Sequence, residues 1–275
     1  WLAMGKGIAW QSMHNNPVSN AFIVHDLKVI SETAERLGKK ADADRYRRQM
    51  EATTEAYIRK FVSKKGIVAK DYQSAYIMAL KFVLPEGELR EQVKKNFAAN
   101  IRKNGLQTGF FATEHLLPLL VEAGETELAY DILLQEGCPG WMYQVKCGAT
   151  TTWERWDALK PDGTVNEEKM AGSGDNMVSF NHYAFGSVGE FYYQYILGIK
   201  PQKPGFAELH FEPYPDRRLG GVSGSYLSRA GKIESSWKYE EDGCHISLNT
   251  PVKSEVVLPD GKKETVEAGT YQWLC

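Results

Sequence analysis

The sequence predicts a mainly α-helical protein that ends in a small β domain. Two observations support this fold class. Apolar residues recur at three- and four-residue steps through most of residues 20–198, which is the period of an amphipathic helix. After a Pro-rich segment at 200–205, alternating segments flank Asp-Gly pairs at 242–243 and 260–261. Asp-Gly between such segments is a strong signal for a β-hairpin.

Seven helices are predicted in the first part of the chain, and the turns between most of them are short. The first helix ends at Gly38, a residue type that commonly terminates helices. The fourth is marked by apolar residues spaced strictly by four, namely Leu89, Val93, Phe97 and Ile101. This arrangement is typical of stacked helical hairpins. The predicted helices cover 21–37, 42–62, 73–82, 89–101, 113–123, 125–135 and 182–197.

The chain is expected to divide into a helical part over 1–199, a Pro-rich linker over 200–205 and a β domain over 206–275. Two hairpins in the last region predict a small antiparallel β-sandwich. The strands predicted there are 233–239, 244–248, 255–258 and 264–267.

Composition excludes several functional classes. Lys and Arg total 33 against 35 Asp and Glu, so the formal charge is −2. A chain so close to neutral has no global electrostatic reason to bind nucleic acid or an anionic membrane surface. No apolar run approaches the roughly 20 residues that span a bilayer. The four cysteines show no Cys-x-x-Cys spacing and no accompanying histidine cluster, so no zinc site is predicted. The sequence implies no metal or organic cofactor.

A long irregular segment, 136–180, separates the sixth and seventh predicted helices. Loops of this length inside a compact domain are usually functional or disordered. This segment holds Trp141, Trp153 and Trp156, and aromatic side chains are scarce in disordered regions. We therefore expect an ordered, functional loop.

The most informative part of this loop is GATTTWERWD at 148–157, which places two indoles, an acid and a base within five residues. Carbohydrate sites use such groups, because indole faces stack on the C–H faces of sugars and carboxylates bind hydroxyls and transfer protons. Two plainer alternatives remain open. In one, Glu154 forms an ion pair with Arg155; in the other, the tryptophans are core residues beneath the loop.

Two motifs carry a resemblance to a known family. GATTTWERWD and SFNHYAFGSVGE, at 179–190, resemble the C-terminal half of glycoside hydrolase family 78, the α-L-rhamnosidases. Shorter stretches agree, among them WLA at 1–3, TGF at 108–110 and CPGW at 138–141. The resemblance implies an (α/α)₆ barrel followed by a β-sandwich. Six hairpins require twelve helices and only seven are predicted, so a partial (α/α)₆ toroid is expected.

The resemblance also implies roles for individual residues. Glu154 matches the general base of an inverting hydrolysis that releases terminal α-L-rhamnose from a glycoside. His182 matches a histidine that contacts the rhamnose, although a structural histidine at a helix start is the alternative. Trp1 matches a tryptophan that lines the sugar pocket. Trp141, Trp153 and Trp156 are candidates for either the pocket wall or the core.

The family's general acid lies in an Asp-rich segment that is N-terminal to the region matched here. These 275 residues contain no such segment. We therefore expect a rhamnose-containing glycoside as the substrate of a larger protein, with the missing part of the barrel, or a second copy of the chain, covering exposed apolar helix faces. The alternatives are a non-catalytic carbohydrate-binding fragment and another sugar hydrolase with the same barrel. The stretch 163–178, which contains Gly172 and Gly174, is expected either to reshape the pocket rim or to form a flexible lid.

Overall fold

The computed structural model describes residues 8–167 and 178–275, with side chains described from residue 16 onward. The chain divides into two compact units, Trp1–Gly186 and Ser187–Cys275. The boundary between the units lies after residue 186, earlier in the chain than the boundary at 199 that was predicted from the sequence. The segment expected to be a linker, 200–205, starts within a β-strand and ends in a 3₁₀ turn, so it is part of the second unit.

The first unit is built from helices, and six of the predicted helices are confirmed within it. The third continues into one π-helical turn at Ala79–Val83. A short additional helix, α7, was not predicted, because six residues are too few to show helical periodicity. The helices are α1 Ile8–Arg36, α2 Lys40–Phe61, α3 Gln73–Met78, α4 Glu88–Asn104, α5 Phe110–Glu122, α6 Thr126–Leu134 and α7 Trp141–Lys146.

Neighbouring helices pair as hairpins, with α1 packed along α2 and α5 against α6. The spacing by four in α4 has the expected consequence, because Val93, Phe97 and Ile101 are each at most 1% exposed. A buried glutamine, Gln73, then ties α3 to the loop that follows α4. Its side chain donates to the Gly105 carbonyl at 2.7 Å and accepts from the Gln107 N–H at 2.9 Å. That loop leads directly into the residues beneath the candidate site.

Large apolar side chains along α1 and at its end are left open to solvent. Ile23, Val29 and Ile30 are 47, 48 and 43% exposed, and Leu37 is 66% exposed. Within the described residues, no helix is both long enough and apolar enough to cross a lipid bilayer.

The second unit starts with a short helix, α8 Val188–Phe191, which continues as a π-helical turn to Ile196. The seventh predicted helix therefore begins later than residue 182 and opens with a 3₁₀ turn. Eight described strands follow: β1 Ile199–Pro201, β2 Leu209–Phe211, β3 Gly221–Ser228, β4 Gly231–Glu240, β5 Gly243–Thr250, β6 Ser254–Val257, β7 Lys263–Val266 and β8 Gly269–Leu274.

The strands form two four-stranded sheets, ordered β1-β2-β6-β7 and β3-β4-β5-β8. Every pair is antiparallel except β2 with β6. Alternate residues of both sheets are fully buried, for example Trp237 and Leu248 in one and Phe211 in the other. The Trp273 ring lies 6.0 Å from that of Phe211, and its indole N–H donates to Glu264 at 2.5 Å. The predicted β-sandwich is thus confirmed, with β4–β7 as the predicted strands.

A charged cluster in this unit should make its stability depend on pH. Glu212 accepts from His210 at 3.3 Å and from Lys200 at 2.9 Å. The hydrogen bond from His210, opposed by partial burial and aided by Lys200, lowers the pKa of Glu212 to about 2. The hydrogen bond to Glu212 raises the pKa of His210, with Glu255 assisting and both burial and Lys200 opposing.

The two shifts act on opposite sides of one pH window. A lowered carboxyl pKa stabilises the fold above about pH 4.5, and this contribution is lost as the pH falls toward 2. A raised imidazole pKa stabilises the fold below about pH 6.5, and this contribution is lost as the pH rises. We expect Glu212→Gln to lower the thermal midpoint of the second unit most between these limits, and Glu241→Gln, an exposed acid, to leave it unchanged. An equal loss at every pH would contradict this account.

Candidate active site

Two loop segments that are distant in sequence run side by side in the first unit. The Glu154 N–H donates to the Ser179 carbonyl at 2.9 Å, and the His182 N–H donates to the Thr152 carbonyl at 2.9 Å. The Thr152 hydroxyl donates in turn to the His182 carbonyl at 2.7 Å. This pairing places Glu154 and His182, the two principal site residues predicted from the sequence, on two loop segments that are hydrogen-bonded to each other.

Glu154 is buried, with 7% of the residue exposed. Its Oε2 atom accepts a hydrogen bond from the Ser179 N–H at 3.0 Å. Within the part of the chain that the structure describes, Oε1 accepts none. A carboxylate that is fixed through one oxygen and open at the other can accept a proton from a water molecule in a defined direction.

The neighbouring arginine serves a different acid. Arg155 binds Asp157 through two hydrogen bonds of 3.0 Å, from Nε and from the second terminal nitrogen. Asn166 donates to the same carboxylate at 2.9 Å. The alternative in which Glu154 forms an ion pair with Arg155 is therefore not the observed arrangement. Instead, the Arg155–Asp157 pair braces the loop immediately after Glu154.

This brace should contribute measurably to stability, because Arg155 and Asp157 are only 11 and 22% exposed. We expect Asp157→Asn to lower the free energy of unfolding by about 1–3 kcal/mol, since it removes the negative charge to which a mostly buried guanidinium is bound. Urea denaturation measures the change. The matched control is Asp162→Asn in the exposed turn of the same loop, which should leave stability unchanged. Equal effects of the two variants would argue against the brace.

The predicted site tryptophans are buried beneath these segments. Trp156 is at most 2% exposed, and its ring stacks on Phe185 at 3.8 Å and 11°. Trp141 meets Trp156 edge-on at 5.0 Å and donates its indole N–H to the Phe185 carbonyl at 2.8 Å. The Trp156 indole donates to the Thr108 carbonyl at 3.2 Å. Burial and satisfied indoles favour the core alternative over the pocket wall for both residues.

Trp153 is also 2% exposed and packs with Tyr143 in a small cluster under the loop. Its ring meets Phe180 edge-on at 5.5 Å. Its backbone N–H donates to the side chain of Gln144 at 3.3 Å. Gln144 lies on α7 and was missed by sequence reasoning, because a single glutamine in an irregular stretch matches no motif. Trp153 thus packs as a core residue that adjoins Glu154.

His182 is half-buried, and its ring stacks on Phe110 at 4.5 Å and 21°. The Ala184 N–H donates to its Nδ1 atom at 3.3 Å. Because Nδ1 acts as an acceptor, the proton of the neutral ring is on Nε2, which can donate to a ligand hydroxyl. Ala184 is the first residue of the 3₁₀ turn at Ala184–Ser187, so this bond also fits the structural histidine at a helix start. Both alternatives for His182 stay open at this point.

Two sequence-based expectations concern residues outside the described part of the chain. Trp1, expected to line the pocket, is one. The other is the stretch 163–178 with Gly172 and Gly174, expected to reshape the pocket rim or to form a lid, of which residues 168–177 lie outside the described part. Both stay predictions.

Among the described residues, one cluster has the composition of a metal site, namely Glu240, Asp242 and His245 at the β4–β5 turn. All three are exposed. Lys238 already binds Glu240 at 2.9 Å, and His245 binds Asp242 at 2.8 Å. Each of the two acids thus already has a basic side chain as its partner.

A helical-hairpin unit that precedes a β-sandwich in the chain, with Glu154 and His182 on two paired loop segments, is the arrangement expected of a hairpin-type glycosidase. The chain belongs to the bacterial α-L-rhamnosidase family. Residues 1–196 match the model of the bacterial alpha-L-rhamnosidase 6 hairpin glycosidase domain, and residues 198–272 match that of the bacterial alpha-L-rhamnosidase C-terminal domain. The resemblance inferred from the two loop motifs is thereby confirmed.

Curated relatives carry the same name. The chain is 35% identical over 263 residues to an α-L-rhamnosidase of Alteromonas sp. (strain LOR), covering 94% of this chain and 28% of the relative. It is 32% identical over 254 residues to an α-L-rhamnosidase of Streptomyces avermitilis, covering 91% of this chain and 24% of the relative. The chain thus spans about a quarter of the length of the curated relatives that it matches.

Solved structures agree on the fold. The native rhamnosidase of Aspergillus terreus superposes with a TM-score of 0.85 at 30% identity, covering 94% of this chain and 30% of that one. The Streptomyces avermitilis rhamnosidase, solved in complex with L-rhamnose, gives a TM-score of 0.85 at 30% identity, covering 93% of this chain and 26% of that one.

Proposed function

We propose that this chain forms the part of an α-L-rhamnosidase that activates water, and that the protein hydrolyses terminal α-L-rhamnosides with inversion. The observation that carries the proposal is the state of Glu154, which is buried, held at Oε2 by the Ser179 N–H and, among the described residues, without a hydrogen bond at Oε1. Membership of the rhamnosidase family and a relative solved with L-rhamnose support the substrate class.

The mechanism follows from the needs of inversion. Glu154 takes a proton from a water molecule as the water oxygen attacks the anomeric carbon of the sugar. The bond to the leaving oxygen breaks on the opposite face, where a second carboxyl group donates a proton to that oxygen. Inverting enzymes hold the two carboxyl groups roughly 6.5–9.5 Å apart to admit the water. The product is β-L-rhamnose. On this proposal, the Nε2–H of His182 binds a ring hydroxyl and orients the sugar.

The proposal assigns the general acid to a part of the protein outside these 275 residues. Two observations support this assignment. The chain spans only 24–28% of its curated relatives, and α1 exposes apolar side chains that a neighbouring helical element would cover. Without leaving-group protonation, hydrolysis slows by about 10²–10⁴-fold.

The direct test uses the protein at its full natural length and a panel of aryl glycosides, comprising the α-L-rhamnoside, the β-glucoside and the β-glucuronide. We expect turnover of the rhamnoside and none of the other two. Preference for the glucoside or the glucuronide would indicate another hydrolase of the same fold. Rhamnose binding without any turnover would indicate a carbohydrate-binding protein and would overturn the catalytic proposal.

A further inference from the structure

Tyr183 is an aromatic residue that takes no part in the proposed hydrolysis of the terminal sugar. It is 88% exposed, more than any other large apolar or aromatic side chain in the described part of the chain. It directly follows His182, and the two rings are nearly parallel, with centroids 5.4 Å apart and planes inclined by 9°. In residues 8–167 and 178–275 its hydroxyl has no hydrogen-bond partner.

The backbone of Tyr183 is held in a turn, and one face of its ring lies against the His182 ring. The Tyr183 carbonyl accepts a hydrogen bond from the Gly186 N–H at 2.8 Å, which closes a turn. The His182 ring that lies beside it is itself stacked on Phe110, and Phe110 meets Phe185 edge-on at 5.6 Å. The exposed tyrosine is therefore the outer end of an aromatic ladder that starts in the core. A ring held in this way is partly pre-organised, so little conformational entropy is lost when a ligand stacks on it.

Depth determines which part of a glycoside would meet this ring. The carboxylate of Glu154 is buried and His182 is half-buried, so the terminal sugar occupies the inner position on the proposed function. The leaving group must extend outward toward solvent. Of the two stacked side chains, His182 is half-buried and Tyr183 is exposed, so Tyr183 lies on the outer side. An aromatic face stacks favourably on a flat aryl ring or on the C–H face of a pyranose.

We propose that Tyr183 is a specificity-determining residue that stacks on the ring of the leaving group, and that the protein favours rhamnosides whose aglycone presents a flat apolar face at the glycosidic oxygen. This inference rests on the proposed function. Stacked aromatic pairs are worth about 0.5–1.5 kcal/mol, which corresponds to roughly a two- to tenfold change in affinity.

The test compares 4-nitrophenyl α-L-rhamnoside with methyl α-L-rhamnoside, which has no ring in its aglycone, on the protein at its full natural length. We expect Tyr183→Ala to raise the KM of the aryl substrate about two- to tenfold while leaving that of the methyl substrate unchanged. Tyr183→Phe should keep the preference, because the ring face is retained. Tyr226→Ala, which removes a half-exposed ring on β3 of the second unit, should change neither value.

A disaccharide in which rhamnose is linked to glucose distinguishes a pyranose leaving group from an aryl one. If Tyr183→Ala raises the KM of the disaccharide as much as that of the aryl substrate, Tyr183 accepts any flat ring. If the substitution raises the KM of the aryl substrate alone, Tyr183 selects aromatic aglycones. Both results support the inference.

Other outcomes overturn it. A loss that is equal for the methyl and aryl substrates, or a lowered unfolding midpoint with an unchanged preference, would mean that Tyr183 is structural or covered by another part of the protein. No change in either KM would remove its role altogether. If the unmodified protein binds neither rhamnoside, the proposed function fails, and that result is distinct from a failure confined to Tyr183.

Discussion

Replacing Glu154 by glutamine should abolish hydrolysis while leaving the sugar site intact. We expect kcat for an aryl α-L-rhamnoside to fall by about 10²–10⁴-fold, because glutamine cannot take a proton from the attacking water. The affinity for L-rhamnose should change little. The amide oxygen of glutamine can still accept from the Ser179 N–H, the bond that holds the side chain in place in the structure. Steady-state kinetics and calorimetric titration with L-rhamnose measure the two quantities.

The matched control is Glu136→Gln, an exposed acid that binds Lys146 at the start of the same long loop. It should retain full activity. If Glu154→Gln kept more than a tenth of the activity, Glu154 would not be the base. If it lost activity and rhamnose binding together, its role would be to bind the sugar or to support the loop.

Trp156→Ala should cause the largest loss of stability in the first unit. We expect the free energy of unfolding to fall by about 3–5 kcal/mol, the range observed when buried aromatic residues are cut back to alanine. Three contacts disappear together, namely the stack on Phe185, the edge contact with Trp141 and the hydrogen bond to the Thr108 carbonyl. Urea unfolding followed by far-UV circular dichroism measures the change through the helical signal.

Trp156→Phe provides the informative comparison, because it keeps a ring against Phe185 but removes the indole donor. Its loss should be smaller than that of Trp156→Ala, and it should bind L-rhamnose as the unmodified protein does. If Trp156→Ala lost less than about 1 kcal/mol and Trp156→Phe weakened rhamnose binding, the indole would line the sugar pocket and not the core.

Periodicity predicted the longer elements well, because each of them buries one regular face. In α4, three of the four residues spaced by four are almost completely inaccessible. The Asp-Gly turn at 242–243 joins β4 and β5 as expected. Four of the helices and strands that were missed had no such pattern. Helix α7 has six residues, β1 and β2 have three each, and β3 reads GVSGSYLS, in which glycine and serine replace the usual apolar alternation.

The candidate site was predictable only where a motif marked it. The two loop motifs named Glu154 and His182, but their pairing through Ser179 and Thr152 depends on tertiary contacts that no local pattern specifies. Arg155 was a candidate ion-pair partner of Glu154 because the two are adjacent in sequence. In the structure, Arg155 forms its ion pair with Asp157. Ser179 contributes through its backbone, which carries no residue-type signal at all.

The stereochemistry of the first product tests the central claim most directly. The protein at its full natural length would be mixed with an aryl α-L-rhamnoside in an NMR tube, and the anomeric proton signals followed before mutarotation. The account predicts that β-L-rhamnose appears first and that the α anomer grows in later, because a water activated by Glu154 attacks from the face opposite the leaving group. If α-L-rhamnose is the first sugar released, the reaction proceeds with retention, and Glu154 is not the general base of an inverting hydrolysis.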